Sequence, residues 1–207
     1  LSAHMDHVGV DDDGNVFNGA DDNASGTTAL LMAAELLASR STPPARSVLF
    51  LAVSGEEKGL LGSRWWVRNP TWPLEHVVPD VNADMVGRND PDSIGVTPSP
   101  EHPAYNSMVE RAIELGPELG LEVLFTAGEG DLERKVDVYY QRSDHANFSE
   151  VGIPVVFFFA GEHGDYHRIT DTYDKIDLDK VGRVVALIAA LLTDVADAPG
   201  RPVALAE

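Results

Sequence analysis

The chain has 207 residues, 43% of them hydrophobic, which suffices for one sizeable core and makes a single domain the expectation. Its formal charge of −19 repels nucleic acid and anionic lipid, and its lack of cysteine excludes disulfide frameworks and thiolate metal sites. Any transition metal must therefore be held by His, Asp and Glu.

In chain order, Leu1-Ser2-Ala3-His4 reads as the final part of a strand; with no initiator methionine, the chain is taken as a fragment. Residues 11–15 and 18–23 carry turn chemistry. Residues 27–39 have helical apolar spacing, with Leu30, Leu31, Ala34, Leu37 and Ala38 on one side, and Pro43-Pro44 ends the element. The apolar run 47–53 suits a buried strand of a parallel or mixed sheet, with Gly55-Glu56-Glu57 at its carboxyl end. Residues 59–69 read as a helix start, 76–84 as a strand, and 90–103 as a Pro- and Asp-rich loop. A helix over 104–115, a short strand near 121–125 and a polar loop over 126–135 follow. Residues 139–145 lead into a helical turn, 153–160 form a strongly apolar strand, 161–172 a loop, and about 179–196 the last helix. Strands alternating with helices, without internal repeats, indicate a layered α/β domain. The longest apolar stretches are shorter than a membrane span and no basic segment precedes them, so neither an anchor nor a signal peptide is expected.

Open α/β sheets gather functional groups at the carboxyl ends of their strands. His4-Met5-Asp6, Asp21-Asp22, Glu56-Glu57 and Asp84 fall at such ends, and His167 lies in the loop after another strand. Each alone has a bland explanation, a satisfied histidine or a solvated acidic pair; their joint placement favours function. Histidine and carboxylate without thiolate suit zinc, manganese or cobalt, and a shared carboxylate holds two ions roughly 3.5–4 Å apart in hydrolytic sites. A further carboxylate that binds no metal is then needed to move protons. Adjacent glutamates can divide these tasks.

The series His4-Met5-Asp6, Gly19-Ala20-Asp21-Asp22-Asn23-Ala24-Ser25-Gly26, Gly55-Glu56-Glu57-Lys58-Gly59-Leu60-Leu61-Gly62-Ser63, Asn82-Ala83-Asp84-Met85 and Asp165-Tyr166-His167 resembles the co-catalytic dizinc aminopeptidase family. Glutamate carboxypeptidase II and the glutaminyl cyclases are relatives. The resemblance implies a three-layer α/β/α zinc-peptidase fold of phosphorylase/hydrolase-like type, with a mostly parallel, mixed central sheet. It implies that the chain is one catalytic domain, 1–207, lacking the family's N-terminal helix and first strands. It further implies two Zn2+ ions, or Mn2+ or Co2+ in the same ligands. Asp22 would bridge them, Glu57 and His167 would complete one ligand set, and His4 and Asp84 the other. Asp6 would orient an imidazole, Glu56 would serve as general base and acid, and Tyr166 would donate to the oxyanion of the tetrahedral intermediate. The implied substrate is a peptide with a free N-terminus, and the implied location of the parent protein is secreted or periplasmic. A sheet missing strands would expose an edge through which copies could associate.

Other readings rank lower. A one-zinc glutaminyl cyclase conflicts with a complete five-ligand set that includes His4. A binding module of the transferrin-receptor kind predicts lost ligands, and none is lost. A glutamate carboxypeptidase needs a basic pocket, for which Arg142 and Arg168 are the only nearby arginines. Ser143-Asp144-His145 lacks the context of a nucleophile, so Asp144 and His145 are read as structural or pocket-forming. Tyr139, Tyr140 and Phe148 fit either a pocket or the core. His7, His76, His102 and His163 default to the surface, and the sequons at Asn23 and Asn147 to coincidence.

Overall fold

A computed structural model describes residues 1–205. Strand β1 is Ser2–His4, followed by a small hairpin of β2, Gly9–Val10, and β3, Val16–Phe17. A tight polar turn leads into helix α1, Gly26–Ala38. Strand β4, Leu51–Val53, helix α2, Leu61–Arg68, strand β5, Asp80–Ala83, and strand β6, Ser93–Thr97, come next. Helix α3, Ser107–Leu115, and strand β7, Glu122–Leu124, precede a second hairpin of β8, Thr126–Ala127, and β9, Arg134–Lys135. Helix α4, His145–Glu150, strand β10, Val155–Phe159, and helix α5, Leu178–Asp197, complete the order.

The central sheet runs β4-β1-β5-β10-β6-β7. Its first four strands are mutually parallel, and β6 and β7, parallel to each other, oppose them through β10. Helices α1, α3 and α5 cover one face and α2 with α4 the other, so the expected three-layer architecture with a mostly parallel, mixed sheet is borne out. The main core lies under α5, where Val184, Leu187, Ile188 and Leu191 are fully buried against Val96, Val156 and Phe158. Each such side chain contributes about 1.5–3 kcal/mol on leaving water. Helix α5 begins where Asp177 accepts the Lys180 amide at 2.9 Å, and α3 where Asn106 accepts that of Met108 at 3.1 Å.

Three expectations are corrected. The 90–103 loop contains β6, a buried strand. The run 47–53 forms a strand only at its end, and that strand lies at the sheet edge, with Leu49 46% exposed. On α1 the buried face is Ala29, Leu30, Ala33 and Leu37, while Leu31 points outward, because small alanines let the helix approach the sheet closely. No helix among the described residues is long and apolar enough to cross a membrane.

The two ends of the sheet differ in chemistry. At the amino ends of the parallel strands lies an apolar cavity of about 740 Å³, lined by Leu1, Leu49, Leu51, Trp66, Trp72 and Val77 among others. The histidine and carboxylate motifs sit at the carboxyl ends, where α/β sheets place their ligands.

Candidate metal centre

His4 ends β1 and is 1% exposed. Its Nε2 lies 3.3 Å from Asp84 Oδ1 and 3.5 Å from Asp22 Oδ1. Asp84 follows β5 directly, and its other oxygen accepts the Ser143 hydroxyl at 2.9 Å, which in turn accepts from Asn82 at 2.9 Å. One carboxylate oxygen is thus fixed to the protein while the other faces His4. Asp22 sits in the turn before α1. Asp171, itself fully buried, accepts the amides of both Asp21 and Asp22 at 3.0–3.1 Å. Asn23 Oδ1 accepts the Gly26 amide at 2.8 Å, which takes the place of a conventional cap on α1.

The second oxygen of Asp22 faces another group. His167 Nε2 is 3.2 Å from Asp22 Oδ2 and 3.0 Å from Glu57 Oε2. His7 Nδ1 is 2.9 Å from Glu57 Oε1 and 3.7 Å from Asp22 Oδ2. One carboxylate therefore addresses two histidine and carboxylate groups, one through each oxygen. Among the buried atoms, His4 Nε2, Asp84 Oδ1, Glu57 Oε1 and both His7 nitrogens make no hydrogen bond. Lone pairs that converge without pairing fit cations, and an N/O donor set without sulfur suits zinc, manganese or cobalt.

The electrostatics agree. Burial disfavours the charged form of His4, yet Asp84, Glu56 and Asp22 push its imidazole up to about 11. Hydrogen bonding and charge from Asp22 and Glu57 push His167 up to about 10. Burial, together with the charges of Asp84 and Glu57, raises Asp22 to about 6. Burial and the Asp84 charge raise Glu56 to about 8. Glu57, despite burial, is held well below the usual carboxylate range by His167 and His7. The cluster is a strongly negative, desolvated pocket that favours any added positive charge.

The profile of peptidase family M28 matches residues 1–192. The chain belongs to this family. It is 27% identical to a probable leucine aminopeptidase of Arthroderma benhamiae over 95% of its own length and 53% of that protein's. It is 26% identical to a probable zinc metalloprotease of Pyrenophora tritici-repentis over 89% of its own length and 45% of that protein's. The crystal structure of the LapA aminopeptidase of Legionella pneumophila aligns with a TM-score of 0.75 at 24% identity, covering 96% of this chain and 51% of that one. The chain thus spans about half the length of the relatives it matches. The family expected from the motifs is the family found.

In this M28 chain the expected residues converge as follows. His4, Asp22, Glu57, Asp84 and His167 all join the two groups described. Glu56 and Tyr166 line a cleft of about 30 Å³ with Asp22, Asp84, Tyr139 and Arg142. The Tyr166 ring stacks on His167 at 3.9 Å, and burial raises its hydroxyl above the usual range. Asp6 acts differently from the expectation. His4 Nδ1 lies 3.2 Å from the Asp6 main-chain oxygen and 3.7 Å from its carboxylate, which instead accepts the Glu56 amide at 3.3 Å. The Asp6 segment therefore orients His4 through its backbone and Glu56 through its side chain.

Of the histidines expected at the surface, His163 is buried and His7 has its side chain largely enclosed. His163 Nε2 lies 3.2 Å from Asp21 Oδ2, and both side chains are fully enclosed. His7 stands inside the Glu57 group; the signal that could have found it is its position three residues after His4 in a loop that carries Asp6. Ser143-Asp144-His145 forms no triad, because Ser143 donates to Asp84 and Asp144 accepts from Ser63 at 2.5 Å. His145 stacks on Phe157 at 4.3 Å, and burial lowers it to about 3. Tyr140 and Phe148 belong to the core, whereas Tyr139, also buried, borders the cleft.

Proposed function

We propose that the chain carries the hydrolytic centre of a zinc aminopeptidase, with two zinc ions per chain. The carrying observation is Asp22, whose two oxygens face two separate ligand groups. His4 and Asp84 would hold one ion and Glu57 and His167 the other. Bound zinc supplies electrophilic activation of the peptide carbonyl and of the attacking water.

The chain's own residues supply the rest. Glu56, lining the cleft beside both groups, is the carboxylate placed to take a proton from water and return it to the leaving amine. Tyr166, held protonated, is suited to donate to the oxyanion. The surrounding carboxylates favour a substrate's free ammonium group, which directs cleavage to the amino end. Arg142 is engaged by Glu162 at 2.9 Å and lies over the Tyr139 ring at 5.0 Å, so it offers little to a terminal carboxylate. That favours the aminopeptidase over the carboxypeptidase reading.

The test is Glu56→Gln with elemental analysis before and after substitution, on peptides blocked at either end. Two zinc ions per chain, turnover only of peptides with a free amino end, and about 10²–10⁴-fold slower turnover in the variant with zinc retained are expected. One ion per chain, with pyroglutamate formation, would replace this reading by the cyclase.

A further inference from the structure

We propose that His163 is a positioning residue for Tyr166: its ring couples the loop that carries Tyr166 and His167 to Asp21, the neighbour of the shared carboxylate Asp22. The inference rests on the aminopeptidase reading above and on the role given there to Tyr166.

Residues 161–172 contain no helix or strand, so no regular backbone pairing fixes the Tyr166 hydroxyl, and turn and side-chain bonds must do so. His163 supplies three such contacts. Its main-chain oxygen accepts the Tyr166 amide at 3.0 Å, its Nδ1 accepts the Asp165 amide at 3.2 Å, and its Nε2 stands 3.2 Å from Asp21 Oδ2. The first two curl the chain into the turn from which Tyr166, stacked on His167, lines the cleft. The third ties that turn to the segment that carries Asp22.

The bonds also select the tautomer. An Nδ1 that accepts an amide proton has a free lone pair, so a neutral ring carries its own proton on Nε2, the atom that faces Asp21. Both side chains are fully enclosed. The two atoms meet without ideal alignment, yet neither has a hydrogen-bond partner elsewhere among the described residues. Removing the ring would leave a buried carboxylate oxygen with no protein donor, a cost that nothing else in the pocket offsets. An apolar pair of the same volume would fill the space as well; what the polar pair adds is a fixed direction.

Asp21 is firmly anchored. Its Oδ1 accepts the Gly87 amide at 2.7 Å, its own amide donates to Asp171 at 3.0 Å, and its main-chain oxygen accepts the Ser25 hydroxyl at 2.7 Å, which in turn accepts the Val86 amide at 3.0 Å. These bonds fasten it to the start of α1 and to the segment after Asp84. The far end of the loop has its own tie through Asp171, and the Asp165 carboxylate is held near the surface by Arg88, Lys175 and Thr170. The inner side of the turn, where the Asp165 and Tyr166 amides point, depends on His163. Loss of its ring therefore releases Tyr166 while leaving Asp22 and the other proposed ligands in place, and the effect belongs to the transition state rather than to ion or substrate binding.

Steady-state kinetics of the full chain on a peptide with a free amino end, with zinc per chain determined alongside, test this. His163→Ala is expected to keep its zinc and to change KM by less than about 2-fold while kcat falls about 10–100-fold, the scale of a catalytic group displaced by roughly 1 Å. Two near-isosteres separate the ring nitrogens. His163→Gln places an amide nitrogen near the Nε2 position and is expected to restore kcat to within about 3-fold of wild type by donating to Asp21. His163→Asn places an oxygen near the Nδ1 position, leaves Asp21 without a donor, and is expected to resemble His163→Ala. Independently of turnover and of metal, nitrogen NMR of the imidazole in the metal-free chain is expected to find the His163 proton on Nε2 and slow to exchange with water. If His163→Ala does not fold, the Gln and Asn variants and the NMR decide. Wild-type kcat in His163→Ala with only a lowered unfolding temperature, loss of its zinc, a Gln variant no more active than the Asn variant, or a ring proton on Nδ1 would each overturn the assignment. A wild type that leaves peptides with a free amino end intact would overturn the aminopeptidase reading and this role with it, even with the ring proton on Nε2.

Discussion

The two halves of the centre rest on different foundations. His4 is the last residue of β1, flanked by β4 and β5, and Asp84 is one residue beyond β5, so the sheet fixes both. His167 sits in a loop with φ +55°, its side chain 39% exposed. A non-glycine residue in that conformation costs roughly 1–2 kcal/mol, which surrounding contacts must offset. Here Asp165 accepts from Arg88 at 3.1 Å, Lys175 at 2.7 Å and Thr170 at 2.6 Å, and Asp171 ties the same loop to Asp21 and Asp22. One half is therefore held by apolar burial and strand pairing, the other by polar bonds that single substitutions can remove.

The residue common to both halves gives the largest expected effect. Asp22→Asn removes the shared charge, and the loss of several kcal/mol of electrostatic stabilisation corresponds to on the order of 10³-fold or more in turnover. Elemental analysis of the variant should find both ions depleted. If one half kept its ion at full affinity, the halves would be independent and Asp22 would not join them.

Proton release asks whether both halves respond alike. With His4 at about 11 and His167 at about 10, both imidazoles carry protons at neutral pH before metal enters. Each ion must displace at least one, so affinity rises with pH on both sides, by roughly 10-fold per unit for each proton released. Competition titrations with Zn2+ at pH 6 and pH 8 should differ by about 100-fold or more for each ion. A flat profile at either ion would show that its histidine does not ligate as a displaced base.

Supporting residues sharpen the contrast further. Asp171→Ala removes the acceptor of the Asp21 and Asp22 amides, and Ser143→Ala removes a single hydroxyl from Asp84. Both act through ligands and should weaken zinc binding by about 10–100-fold, Asp171→Ala toward the upper end and at the His167 ion, Ser143→Ala toward the lower end and at the His4 ion. Equal losses at both ions in either variant would mean that the two foundations are mechanically coupled. Stepwise chelator titration of each variant measures this.

The sheet half was the more legible in sequence. His4 and Asp84 stand at the ends of apolar runs, where side-chain placement follows from strand geometry; Glu57, which serves the other half, was legible for a similar reason, in the loop just after β4. His167 was legible only through the motif around it, because nothing in loop 161–172 announces a left-handed histidine. His7 and His163 read as surface residues from the sequence, since a lone histidine gives no sign of the carboxylate it will meet from residues far along the chain. Strand β6 was hidden by Asp90-Pro91-Asp92 before it, Pro98 after it and Gly95 within it. That glycine is no breaker: a Cβ there would stand 2.6 Å from the Phe159 carbonyl, so close pairing with β10 requires it. The edge position of β4 was equally invisible, because an apolar run does not say how many neighbours it has.

The smallest expected effect concerns the helix that braces the sheet half from behind. Lys180, in the first turn of α5, is 1% exposed and donates to the main-chain oxygens of Arg88 and Asp90 at 2.5 and 2.7 Å, fastening the segment that follows Asp84. Burial lowers its ammonium to about 8, with Asp21, Asp90 and Asp177 opposing the shift. Below pH 8 both folded and unfolded chains hold the proton, so its contribution does not vary. Between pH 8 and about 10.5 the unfolded chain keeps a proton that the folded chain has released, so this residue's contribution to stability rises with pH and is lost again as pH falls through 8. Urea unfolding of wild type and Lys180→Met at pH 7 and pH 10 should show the difference between them growing in favour of the wild type by on the order of 1–3 kcal/mol. A constant difference would mean that the amine stays charged in its carbonyl cradle. The sheet half would then be braced by an ion rather than by a neutral donor, and the contrast between an apolar and a polar foundation would narrow.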